Sequence, residues 1–271
     1  MGIRLLHLHL HGLFRSSELE LGRDADTGGQ TLYVLELARS LALRPEVDHV
    51  DVVTRLIHDR RVSVDYSRPE ESIAPGARIL RFPFGPKRYL RKELLWPHLE
   101  ELADQLVAHL SRPGQGVDWI HAHYADAGLV GALVSQRLGI PLVFTGHSLG
   151  REKQRRLLAG GLDRSQIEQT YAISRRIDAE ERALAQADLV ITSTSQEAEQ
   201  QYSRYGHFRP QQAEVVPPGV DSTRFHPHGT AQERSALQSL LQPFLRDPNR
   251  PPLLAISRAV RRKNIPALLE A

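Results

Sequence analysis

Short apolar runs recur along the chain with amphipathic stretches between them, and that alternation restricts the fold more than any other feature. The runs are "IRLLHLHL" (3–10), "VDVVT" (50–54), "RILRFPF" (78–84), "WIHAH" (119–123), "PLVFTG" (141–146), "DLVITST" (188–194) and "AEVVPPG" (213–219). Between most of them lie segments such as "TLYVLELARSLAL" (31–43) and "LWPHLEELADQLVAHL" (95–110), whose apolar residues return every three or four positions. Strand-length runs separated by helix-period segments predict βα units and a doubly wound, Rossmann-like parallel sheet. In such a sheet the ligand crevice lies beyond the carboxyl ends of the strands, so the residues closing each run are the first candidates for chemistry.

Composition narrows the function classes. The 271 residues suffice for one large domain or two modest ones, and with 41% apolar and 25% charged residues they read as globular. Zero cysteines exclude disulfides and thiolate metal sites. No long uninterrupted apolar segment is present and the N-terminus lacks a signal-peptide pattern, so a cytoplasmic protein without membrane partners is expected. A net charge of only +3 argues against a nucleic-acid partner. The basic clusters "PKRYLRK" (86–92), "REKQRR" (151–156) and Arg175–Arg176 are local, which suits a small anion; each alone is equally a solvated helix face.

After "VVPPGVD" the chain changes character. Residues 226–251 are polar and Pro-punctuated, a linker containing a helix, and "PLLAISRAVRRKN" (252–264) opens a new strand, turn and helix. The expected organisation is a ligand-binding domain over 1–225, a linker over 226–251 and the start of a second Rossmann-like domain over 252–271. A single strand–helix unit cannot make a sheet, so the chain reads as a fragment of a longer one.

Several candidate sites sit where strands end. Gly28 and Gly29 precede the first helix, where residues without Cβ let a diphosphate approach backbone N–H groups; a plain tight turn is the alternative. His7, His9 and His11 share one strand face by period 2, a spacing that can hold zinc, although an ordinary strand with a polar face is favoured and no metal is expected. "HAHYADAG" (121–128) places Tyr124 and Asp126 just past a strand, positioned to grip a sugar, or in the case of Asp126 to cap the next helix. "FTGHSLGREK" (144–153) delivers His147, Ser148 and Lys153 to one strand mouth, at a helix start that favours an anion. A helix over 170–184 carries Arg175 and Arg176, which point about 100° apart, so that one can reach a phosphate while the other pairs with Asp178, Glu180 or Glu181. Arg258 and Lys263 bracket a basic turn able to meet a diphosphate.

These segments, in this order, resemble the sucrose-phosphate synthases, retaining nucleotide-sugar glycosyltransferases of the two-domain GT-B type. The residues that carry the resemblance are "HGLFRSSELELGRDADTGGQTLYVLELARSL", "RKELLWPHL", "HAHYADAG", "TGHSLGREK", "SRRIDAEE", "VITSTSQE", "VVPPGVD" and "SRAVRRKN", spread over nearly the whole chain. The resemblance implies that the first domain binds fructose 6-phosphate and the second UDP-glucose, with Gly28 and Gly29 reaching the donor diphosphate. It implies further that Lys92, Lys153 and Arg176 surround the acceptor phosphate with Ser148, that Arg175 stands nearby, and that Gln30 and Tyr124 touch the fructose. His147 and Asp126 would face the transferred glucose, and Arg258 with Lys263 would stabilise the departing diphosphate. No cofactor or metal is implied. A paired-glutamate motif of the family's second domain is not found in these 271 residues. The alternatives are a sucrose synthase, which takes unphosphorylated fructose, a mannosylfructose-phosphate synthase-like enzyme, and a sugar-phosphate-binding module without turnover.

Overall fold

In the computed structural model every apolar run of the first 219 residues pairs as a strand. The model describes residues 2–226, 229–245, 247, 250, 253–255, 257 and 263–270. The chain divides into two compact units, Met1–Pro218 and Gly219–Ala271. The first contains β1 (Ile3–Leu8), β2 (Val47–Arg55), β3 (Glu70–Ala74), β4 (Ala77–Phe82), β5 (Trp119–His123), β6 (Leu142–Thr145), β7 (Leu189–Thr192) and β8 (Ala213–Val215). They form one sheet in the order β3-β4-β2-β1-β5-β6-β7-β8, parallel throughout except for β3 against β4. The strand order reverses direction between β1 and β5, which makes their carboxyl ends the switch point where a ligand crevice opens.

Helices cover both faces because the strands are apolar on both. On one face Leu6, Leu8 and Leu10 of the β1 segment, Val53 of β2 and Ile120 and Ala122 of β5 pack with α2 (Leu99–Leu110), α3 (Ala125–Leu138) and α6 (Ile173–Gln186). On the other face Val50 and Val52 of β2 and Ile79 of β4 meet Val34, Leu35 and Ala38 of α1 (Gly29–Ala42). Each fully buried aliphatic side chain contributes about 1.5 to 3 kcal/mol. The period-2 alternation that sends Leu6 and Leu8 to the α2–α3–α6 side turns His7 and His9 to the α1 side, and the same holds for His121 and His123 beside Ile120 and Ala122.

Three expectations need correction. β3 is an antiparallel edge strand closed on β4 through Gly76 at φ +79; its sequence "EESIA" has no apolar run to mark it. The helix expected over 170–184 is two helices, α5 (Arg164–Tyr171) and α6, because Ala172 adopts a left-handed φ of +45 and breaks the ladder. In the second unit Ala231–Leu241 and Ile265–Glu270 are helical, while the described residues 253–255 and 257 are not in a strand and the rest of the expected strand and turn lies outside the described residues. No helix among the described residues is long and apolar enough to cross a membrane.

Candidate active site

The crevice at the β1–β5 switch point is built first by backbone geometry. Gly12, at the end of the β1 segment, holds φ +79, and a Cβ there would fall 2.7 Å from the Asp26 carbonyl oxygen. Only glycine lets the β1 end and the following glycine loop approach this closely. The loop is tied by Asp24, whose Oδ1 accepts from the N–H groups of Asp26 (2.8 Å) and Thr27 (2.7 Å), and by Thr27 Oγ1, which accepts from Leu13 N–H at 3.0 Å. α1 then starts at Gly29 with Gly28 as an extended N-cap and no side-chain cap. A Cβ at Gly29 would meet nothing within 4 Å, so packing does not demand glycine there, and the first amides of α1 border open space.

Tyr124 and His147 complete the mouth, both at left-handed φ, +80 and +55. Such backbone strain in non-glycine residues is concentrated where side chains must be aimed at a ligand. Tyr124 is the residue between β5 and α3; its N–H donates to Thr145 O at 2.8 Å, locking the β5 and β6 ends together. His147 opens the turn from β6 to α4 (Gly150–Ala159), fixed behind by Gly146 N–H donating to Tyr202 Oη at 2.8 Å. Asp126, fully buried in the first turn of α3, pairs through Oδ2 with His11 Nδ1 at 2.8 Å, and its Oδ1 accepts from Ala127 N–H at 2.7 Å. Asp126 therefore lies inside α3 rather than capping it, since the N-cap is Tyr124 and no side chain caps the helix; its Oδ1 satisfies one first-turn N–H and its Oδ2 is committed to His11.

Cations gather on the α4–α6 side. Arg176 is buried, its Nε donating to Glu180 Oε1 at 2.9 Å and its Nη2 to the Ser148 carbonyl and to Ser148 Oγ (3.3 Å). Its guanidinium stands 4.5 Å from the centroid of the Tyr124 ring. Glu180, which burial pushes above the usual carboxylate range, also accepts from Gly150 N–H (2.9 Å) and Tyr205 Oη–H. Lys92 N–H donates to Asp26 Oδ2 at 2.9 Å and its Nζ pairs with Asp26 and with Glu93 (3.4 Å). Burial opposes ionisation of Asp26, but Lys92 outweighs it and holds the carboxyl below its ordinary value. Lys153, on the first turn of α4, places Nζ 3.6 Å from the centroid of the Tyr171 ring and forms no carboxylate ion pair among the described residues. Burial, with the neighbouring charges of Arg176 and Lys92, lowers its pKa to about 8.

Histidines line the α1 side. His11 and Tyr124 meet edge to face at 4.6 Å, and Tyr33 of α1 meets His147 in the same way at 5.1 Å. Gln30 Nε2 lies 3.0 Å from His9 Nδ1 and donates to the His123 carbonyl at 3.3 Å. His123 Nδ1 is 3.0 Å from His147 Nε2, and its Nε2 is 3.0 Å from His7 Nδ1. Burial lowers the pKa of His147 to about 3 and of His7 to about 4, and drives His9, His121 and His123 well down. All five are neutral at pH 7. The expectation of a plain strand with a polar face is corrected: His7, His9 and His11 are buried, because α1 and the glycine loop close over that face.

The fold thus brings together Gln30, Lys92, Tyr124, Asp126, His147, Ser148, Lys153 and Arg176 around the strand ends that Gly28 and Gly29 approach. Arg175 is exposed on α6, while Arg176 turns inward, in keeping with their angular separation. Lys263 belongs to the second unit and Arg258 lies outside the described residues. Sequence reading missed Asp26 and Tyr171, which engage the two lysines, and Tyr33 against His147. It left Glu180 as one of three choices. Only Glu180 carried a signal, its i,i+4 spacing from Arg176.

Residues 28–219 match the glycosyl transferase 4-like domain. Probable sucrose-phosphate synthase 2 of Arabidopsis thaliana is 38% identical over 97% of this chain and 31% of its own length. Probable sucrose-phosphate synthase 1 of Oryza sativa subsp. japonica is 39% identical over 97% of this chain and 30% of its own. Among solved structures, sucrose-phosphate synthase from Thermosynechococcus elongatus superposes with a TM-score of 0.64 at 26% identity, covering 87% of this chain and 52% of that one. The catalytic domain of starch synthase IV from Arabidopsis thaliana shares the fold, with a TM-score of 0.56 at 14% identity over 100% of this chain and 65% of that one. The chain spans about a third of the length of these curated relatives. With a family match over most of its first unit and a doubly wound α/β sheet like those of the GT-B enzymes, this chain belongs to the glycosyl transferase 4-like domain family and, within it, is similar to the sucrose-phosphate synthases.

Proposed function

We propose that the chain supplies the acceptor-binding part of a cytoplasmic retaining glycosyltransferase that moves glucose from UDP-glucose to fructose 6-phosphate, giving sucrose 6-phosphate and UDP. One observation carries the reading: Lys153 is a half-buried cation held beside Arg176 and Lys92 with no carboxylate of its own among the described residues. Charge repulsion of that kind is relieved by an anion, and a phosphate brings nearly two charges at neutral pH. Unphosphorylated fructose would relieve none of it.

In this reading Lys153 and the Ser148 hydroxyl take the acceptor phosphate, and Arg176, its Nε anchored on Glu180, presents its outer nitrogen beside Ser148. Lys92, already answered by Asp26, fixes the loop and adds a longer-range attraction. Gln30 and Tyr124 orient the fructose. Asp126 and neutral His147 face the transferred glucose, one accepting and the other able to donate or accept a hydrogen bond. The open amides beyond Gly28 and Gly29 take part of the donor diphosphate. The proton of the attacking hydroxyl passes to that leaving phosphate, so the transfer uses no enzymic nucleophile, metal or cofactor.

Thermal melting tests the acceptor assignment. Fructose 6-phosphate at ~100 times its dissociation constant is expected to add about 2.7 kcal/mol to the stability of the chain, and fructose at equal concentration far less. Equal shifts from the two sugars would point to the sucrose synthase chemistry instead.

A further inference from the structure

The glycosyl transfer leaves one buried group of side chains without a task. His7 and His121 are register partners on β1 and β5, and His123 stands two residues further along the same face of β5. One ring nitrogen from each lies within 4.8 Å of the others, in the α1-facing layer beneath Gln30 and His147. His7 and His123 are almost fully buried and His121 nearly so. The His7 and His121 ring centroids are 5.1 Å apart and those of His121 and His123 4.0 Å. Among the described residues His7 Nε2 has no hydrogen-bond partner, so no protein group competes for the proton that the ring keeps on Nε2 when Nδ1 acts as a ligand. His7 Nδ1 and His123 Nε2 face each other at 3.0 Å. Two nitrogens bound to one tetrahedral zinc, each at about 2.0 to 2.1 Å, would sit roughly 3.3 Å apart, so a ring shift of a few tenths of an ångström turns that contact into a pair of metal ligands. Among the described residues no carboxylate pairs with the three rings, and neutral imidazole is the form that ligates.

The geometry points to a three-histidine site for a late divalent transition metal, zinc or its chemical neighbours, formed by His7, His121 and His123 in the core below the sugar crevice. A water molecule or the Thr145 hydroxyl, which lies 2.8 Å from His121 Nε2, is available for the fourth position. The ion cross-links β1 to β5 at the switch point. Its binding through His123 Nε2 also leaves that ring's proton on Nδ1, where it is donated to His147 Nε2, and so fixes the tautomer of His147 with its own proton on Nδ1. The metal positions a residue of the crevice and takes no part in bond making. The inference stands whichever sugar the crevice accepts.

Cobalt(II) and zinc(II) are the probes. Metal-free 271-residue chain titrated with Co(II) is expected to take up one equivalent with the ligand-field absorption of a four-coordinate ion, and zinc is expected to displace it and to raise the melting temperature. His7→Leu and, separately, His121→Leu should weaken uptake by more than the roughly 10- to 100-fold that loss of an outer hydrogen-bond partner costs. His49→Gln and His207→Gln, which remove histidines paired instead with Asp51 (2.8 Å) and Glu181 (3.0 Å), should leave uptake unchanged. Should both core variants fail to fold, long-range 1H–15N spectra of the wild-type histidine rings decide: zinc must shift three buried rings and spare those of His49 and His207. Absence of stoichiometric uptake, uptake that survives His7→Leu, or shifts confined to His49 and His207 would overturn the site.

Discussion

Lys153 distinguishes the crevice at the level of single residues, because it is half-buried beside Arg176 and Lys92 and forms no carboxylate ion pair among the described residues. Its folded pKa of about 8 is below the ordinary 10.5, so between those values the unfolded chain binds more protons and stability rises with pH; below about 8 the penalty is present in full. A bound phosphate removes the penalty. Affinity for fructose 6-phosphate is therefore expected to rise as the phosphate takes its second charge near pH ~6 and to fall again as the pH passes about 8 and Lys153 loses its proton. Lys153→Arg, whose guanidinium stays charged, should keep the acidic limb and lose the alkaline one in affinity measured across this range. An alkaline limb that persists in the arginine variant would assign it to another group. Arg176 is a poorer probe, since its removal strands the buried Glu180 carboxylate, an effect that typically costs 3–5 kcal/mol of stability and would mask any loss of binding.

At the level of elements, the sequence was most legible where apolar periodicity is strong. The seven parallel strands were all marked by short apolar runs, and α1 and α2 by their three-and-four spacing. β3 was not, because an edge strand of mostly polar residues needs no apolar face, and the α5–α6 break was not, because Ala172 carries no trace in the sequence of its left-handed backbone. The site divides in the same way. Tyr124, His147 and Ser148 follow strands directly and Lys153 sits in the first turn of the next helix, so their positions could be placed from the sequence alone. The Lys92–Asp26 and His11–Asp126 pairs join residues 66 and 115 positions apart, which only the folded sheet brings together. The histidines show the limit most clearly, since period 2 groups His7 with His9 and His11 along one strand whereas the tightest cluster runs across strands to His121 and His123. The junction of β1 with the glycine loop gives a direct check: Gly12→Ala is expected to cost roughly 2 to 4 kcal/mol through left-handed backbone strain and the close carbonyl of Asp26. Chemical denaturation would measure it, and a loss below about 0.5 kcal/mol, the ordinary range for a surface change, would mean the loop does not pack as described.

For the whole molecule, the unit Met1–Pro218 holds the eight-stranded sheet, both helical layers and the crevice at the β1–β5 switch point. A domain of this size buries about 70% of its unfolded surface, so residues 1–218 expressed alone are expected to unfold cooperatively and to be stabilised by fructose 6-phosphate to the same degree as the 271-residue chain. A piece that folds but no longer responds would place part of the acceptor site beyond residue 218. The most direct measurement of the central claim is calorimetric titration of fructose 6-phosphate into the wild-type chain and into Lys153→Ala, both checked for native folding. Loss of one charge-assisted contact to the phosphate is worth roughly 1.5–3 kcal/mol, so the variant is expected to bind about 10- to 150-fold more weakly. Equal affinity in the two folded proteins would contradict the assignment of this crevice to the acceptor phosphate.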